Sequence, residues 1–172
     1  MSKREFKKYI SGLSKEQLEE QLIDVYGRFK EVKEYYDFAF NPKEDKLIDE
    51  CKFKIGKEYF PVNRRKAKMR RSVAQNYIRH FKRLGVESSL IADVMLYNVE
   101  IAQTYCKEKY VRQDSFYTSM LKSFDEAVSY IIENSLQNEF NDRVQKIAEE
   151  AWEQQWINKE GFDRIVGKIN YS

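Results

Sequence analysis

The residues best suited to chemistry in this chain are cations. Nine lysines and arginines, with no acid among them, lie between Arg64 and Arg83: Arg64, Arg65, Lys66, Lys68, Arg70, Arg71, Arg79, Lys82 and Arg83. The whole chain carries a formal +3, so this segment of +9 leaves −6 on everything else. Segregation of that kind creates a local field that attracts polyanions. Six of these cations, Arg64, Arg65, Lys66, Lys68, Arg70 and Arg71, fall within eight positions. That density suits phosphate contacts by flexible or helix-starting side chains. The partners it fits are a nucleic acid, another polyanion or an acidic protein. The same run also has the composition of a plain solvated loop, or of a segment lying against the acid-rich stretch from Tyr130 onward. Tyr59, Phe60, Tyr77 and Phe81 flank it at core-like spacings and are not counted as base-stacking groups. No helix-turn-helix, zinc-finger or RNA-binding signature accompanies the run.

Other site types lack their components. His80 is the only histidine, so the chain cannot supply the paired Glu-x-x-His of a di-iron bundle or the two or three histidines common at catalytic zinc. Neither Cys-x-x-Cys nor G-x-S-x-G occurs, and the glycines at 12, 27, 56, 85, 161 and 167 match no phosphate-loop spacing. The expectation is therefore no cofactor and no metal. Cys51 and Cys106 sit inside helical patterns and read as small buried hydrophobes in a reducing compartment. The acid pairs Glu19-Glu20, Asp49-Glu50 and Glu149-Glu150 read as solvated helix surface, and His80 as a helix residue beside the core face. Trp152 and Trp156, four apart, read first as core packing. Exposed, they would form the apolar patch that a protein partner or self-association needs. Asn98 and Glu100 interrupt the most apolar helical stretch and need polar partners. Those partners are an interhelical hydrogen bond or, with Tyr97 and Arg79, the start of an enzymatic cleft beside residues 88–109.

The elements that must position these residues are helical. Gly and Pro are scarce, at 6 and 2, and 25 aromatic residues supply enough apolar area for a core. Ser2 opens a short helix that Gly12 ends. S-K-E-Q at Ser14–Gln17 is a capping box. From it Leu18, Leu22, Val25, Phe29, Val32, Tyr36 and Phe40 form one stripe, predicting a single long helix over Ser14–Phe40. Asn41-Pro42 starts the next, which carries Leu47, Ile48, Cys51, Ile55 and Tyr59. Val73 to Leu84 forms another, with Gly85 as its left-handed terminator. Residues 88–105 are apolar on more than one side and predict a buried central helix. Asp114 or Ser115 caps the next helix, a kink is expected within Asn134–Asp142, and Asn158 caps a last short helix. Strand-like alternation is confined to Lys57–Val62.

Four stretches together resemble a family of small bacterial proteins classed only as a domain of unknown function. They are S-K-R-E-F-K-K-Y-I, K-E-Y-Y-D-F-A-F-N-P-K-E-D-K-L, E-Y-F-P-V-N-R-R-K-A-K-M-R-R-S-V-A-Q and I-A-D-V-M-L-Y-N-V-E-I-A-Q-T. The resemblance spans roughly Ser2 to Tyr105. It implies a bacterial, cytoplasmic protein and brings no catalytic assignment.

The resulting expectation is an all-α protein, a single domain over 1–172 with seven or eight antiparallel helices, as an irregular bundle or a short stack of helical pairs. It would be soluble and cytoplasmic, since no apolar run reaches the length of a membrane span. Its function would be that of a non-enzymatic interaction module acting through the basic segment 64–83. Homo-oligomerisation stays open.

Overall fold

Local helix signals set the starts of the first two helices and the end of the fifth. A computed structural model describes residues 1–62 and 65–170. Among them are nine α-helices and no strand: α1 (Lys3–Ile10), α2 (Lys15–Arg28), α3 (Lys30–Phe40), α4 (Glu44–Tyr59), α5 (Arg71–Leu84), α6 (Ser88–Glu108), α7 (Asp114–Glu133), α8 (Gln137–Glu153) and α9 (Lys159–Asn170). The chain divides into two units, Met1–Lys43 and Glu44–Ser172.

In the first unit both helix starts are reciprocal capping boxes. Ser2 Oγ accepts from Glu5 N while Glu5 Oε2 accepts from Ser2 N, and Ser14 and Gln17 repeat the arrangement. The single helix expected over Ser14–Phe40 is instead two. Phe29 leaves the helical region (φ −113°, ψ 114°), ending α2 and capping α3. Tyr26 Oη donates to Asp37 Oδ1 at 2.8 Å. Eleven residues of continuous helix would hold those groups about 16 Å apart, so the chain has folded back on itself. The apolar period runs unbroken through the bend, which is why the stripe alone predicts one helix. That extra break accounts for a ninth helix.

The second unit is built around α6. Helices α4, α5, α7 and α8 all pack on it, and α9 closes over α7 and α8. Leu96, Val94, Val99, Met120, Phe124 and Val128 are fully buried, each contributing roughly 1.5–3 kcal/mol of transfer free energy. The buried central helix predicted over 88–105 is thus found. Phe162 of α9 stacks on Phe124 with ring centres 5.0 Å apart, and the buried Trp156 meets Phe116, Tyr117 and Phe162 edge-on.

Gly85 ends α5 at φ 77°, in the left-handed region that only glycine enters without strain. The polar stretch after α7 contains the expected break, narrowed to Asn134–Leu136 with Ser135 at φ 57°. Two predicted caps are corrected. Asp114 lies within the first turn of α7, after Gln113. Asn158 does not cap α9 with its side chain: its Nδ2 donates to Tyr117 O at 2.7 Å, and its Oδ1 is buried without a partner. Lys57–Tyr59, part of the strand-like segment, completes the last turn of α4. No helix among the described residues is long and apolar enough to cross a membrane.

Candidate polyanion-binding surface

Residues 65–70 connect α4 to α5 without forming a helix, and Glu58 in the last turn of α4 holds the far end of this connection. The Glu58 carbonyl accepts from both Lys68 N and Met69 N, at 2.9 and 3.1 Å. Its carboxylate accepts from Arg70 N at 3.3 Å and is bridged by the Arg70 guanidinium, Nε to Oε2 at 2.8 Å and Nη2 to Oε1 at 2.7 Å. The Arg70 hydrogen bonds hold the Glu58 carboxyl below its ordinary range. Met69 adopts a left-handed backbone (φ 50°). A non-glycine residue there is strained, and the double amide bond to Glu58 O holds the turn in place.

The six candidate cations therefore divide. Arg70 is matched to Glu58. Arg71, half-buried, donates from Nε to Ser123 Oγ at 2.8 Å and from Nη2 to Glu126, which Gln75 also contacts. Those two arginines pin the start of α5 to α4 and α7. Arg65, Lys66 and Lys68 are exposed and make no ion pair among the described residues. Arg64 lies outside the described residues. Further along α5, Lys82 sits over the Tyr130 ring and Arg83 lies beside His80.

The connection walls two clefts that share Pro61, Arg65 and Lys66. One, of about 310 Å³, is also lined by Lys57, Glu58, Lys68 and Arg70. The other, of about 610 Å³, adds Tyr59, Phe60, Tyr105 and Lys109. Among the described residues their walls present six bases and one acid, and that acid is Glu58, already engaged. Phe60, expected in the core, is instead 39% exposed at the rim, edge-on to Tyr105 with ring centres 5.7 Å apart. The expectation fails because Phe60, next after Tyr59, lies about 100° round the helix from the buried stripe of Ile48, Cys51, Ile55 and Tyr59. Tyr59 and Phe81 are buried as expected.

A concavity also lies beside α6, of about 510 Å³, lined by Glu100, Gln103, Lys107, Arg143, Lys146 and Glu150 among others. Its charges are largely spent on one another. Arg143 bridges Glu100 at 2.6 and 2.7 Å and reaches Asp93 at 2.6 Å, and Lys52 binds the other Asp93 oxygen at 2.6 Å. Burial opposes the Arg143 charge, and Glu100 and Asp93 outweigh it, raising its pKa. Burial alone would raise Glu150, but Lys107 and Gln154 hold it low. Glu100 thus finds the interhelical partner its position required. Asn98, 2% exposed, does not: its amide nitrogen has no protein partner. Arg79 is exposed and is not among the residues lining this cleft.

Burial pushes the thiols up, Cys51 to about 12 and Cys106 to about 11, so neither is a ready nucleophile. The tryptophans separate: Trp156 is buried, whereas Trp152 is exposed, bonded to Asp163 and covered by Lys159. No group of three or more His, Cys, Asp or Glu able to hold a metal occurs among the described residues.

The described residues define an all-helical protein. The chain belongs to a family of unknown function, DUF6155, whose model matches residues 1–170. The likeness noted over the first two thirds of the sequence therefore extends through α9. No curated protein and no solved structure matches the chain.

Proposed function

We propose that this protein is a non-enzymatic helical module that binds single-stranded nucleic acid along the clefts walled by residues 57–62 and 65–70, Tyr105 and Lys109. The observation that supports it most is the charge balance there, six bases against one acid that Arg70 already neutralises. Arg65, Lys66 and Lys68 supply phosphate contacts, with Lys57 and Lys109 at the margins. Phe60 supplies a partly exposed aromatic ring on which a base can stack, an interaction worth roughly 1–3 kcal/mol per base. Arg70 and Arg71 hold the loop in shape.

Fluorescence anisotropy with a labelled single-stranded oligonucleotide tests this. Phe60→Ala is expected to weaken single-strand binding about tenfold while leaving weaker duplex binding nearly unchanged. Equal loss on both substrates would remove the stacking role. Equal affinity for an acidic polypeptide would assign the face to a protein partner.

The concavity beside α6 favours a second reading, a catalytic cleft. The ion pairs Glu100–Arg143 and Glu150–Lys107 on its walls weigh against it, because any of those four groups would first have to leave its partner to work as an acid or base.

A further inference from the structure

The first 43 residues contain three helices and not one buried residue. Side chains that a helical unit normally hides are open: Leu18, Leu22, Ile23, Phe29 and Phe40 are each at least 40% exposed. Ordering a residue costs about 1–2 kcal/mol of backbone entropy, and a unit this small seldom meets that cost without an added source of stability such as oligomerisation. Eight large apolar side chains from Phe6 to Phe40 are exposed. At roughly 100 Å² each they offer on the order of 800 Å², the contribution of one partner to a standard-size interface.

The charges say what the other partner is. Helix α1 carries four bases and one acid, and that acid is engaged in the Ser2 capping box. Helix α2 carries four acids and two bases; Lys15 and Arg28 already pair with Glu19 and Asp24, leaving Glu16 and Glu20 without a basic partner among the described residues. A two-fold contact must be self-complementary, and this unit holds both signs on separate helices. We infer that residues 1–43 form a self-association module, in which the α2–α3 apolar stripe of two copies meets and the basic α1 of each lies on the acidic α2 of the other. This inference stands independently of the nucleic-acid reading.

Sedimentation of the full chain tests it. One chain weighs 20.7 kDa, and the expected species is twice that at micromolar concentration. Leu18→Ser with Leu22→Ser should return it to a monomer with its helical circular dichroism kept. A second arm tests the pairing through charge. One chain carries Lys3→Glu, Arg4→Glu, Lys7→Glu and Lys8→Glu; another carries Glu16→Lys and Glu20→Lys. Each alone should dimerise at least about tenfold more weakly, and an equal mixture should recover the dimer, because both cross-contacts are then complementary. A monomer up to about 100 μM overturns the proposal, and protection of residues 15–40 from hydrogen exchange in that monomer would assign the stripe to residues 44–172 of the same chain. A dimer indifferent to the serine substitutions, or a mixture that stays monomeric, also overturns it.

Discussion

The Arg70 guanidinium lies bidentate on Glu58, with Nε and Nη2 2.8 and 2.7 Å from the two carboxylate oxygens. Glu58 thereby does two things at once. It fixes the turn that presents Arg65, Lys66 and Lys68, and it engages the only acid among the described residues lining those clefts with a residue that would otherwise read as a phosphate ligand.

The pairing makes stability depend on pH in a definite direction. Arg70 lowers the Glu58 carboxyl below 4.5 in the folded chain. The stabilisation is therefore complete above the unfolded value, near 4.5, and is lost as pH falls through the lower folded value. In urea titrations the wild type should exceed Glu58→Gln at about pH 7, and the gap should shrink as the pH falls through the lowered folded value. A gap that does not change with pH would place the role of Glu58 elsewhere.

Arg143 joins α8 to α6, and Lys52 extends the network to α4 through Asp93. Removing the guanidinium leaves Asp93 and Glu100 half-buried with like charges and one cation fewer. Arg143→Met is expected to cost about 2 kcal/mol, below the figure for a fully buried pair because these side chains keep some solvent contact. Arg143→Lys should recover only part of that, since an ammonium cannot span both acids in fork geometry. Thermal denaturation of the two variants gives the comparison.

Asn98 presents the opposite case. Its amide nitrogen is buried in α6 without a protein acceptor, and a lone buried donor of this type costs about 1–3 kcal/mol. Asn98→Leu, with the same branching and no donor, should raise the melting temperature or leave it level. A fall of several degrees would show that the amide makes a bond that matters, through ordered water or a partner.

The fold was legible wherever a signal was local. Ser14 and Gln17 announce a helix start from four residues, Gly85 a helix end from one, and the apolar breadth of 88–105 announces the centre. Phe29 shows the limit: its stripe continues through the bend, and what turns the chain there is contact between residues such as Tyr26 and Asp37. The candidate surface divides in the same way. The run of cations was plain, but Arg70 and Arg71 find their acids 12 and 55 residues away, at Glu58 and Glu126. Tyr105 and Lys109 reach the same cleft from the far end of α6. Those pairings are made by tertiary packing, so charge counting could not show that two of the six arginines and lysines are already paired with acids.

The salt dependence of binding separates the two roles most directly. The logarithm of the affinity for a single-stranded oligonucleotide should fall linearly with the logarithm of salt concentration, by about 0.7 per phosphate contact. Replacing Arg65, Lys66 and Lys68 with Gln should flatten that slope by about 2, whereas Arg71→Gln should lower stability and leave the slope in place. A slope unchanged in the triple variant, or no binding by the wild type at low salt, would contradict nucleic-acid recognition through this face.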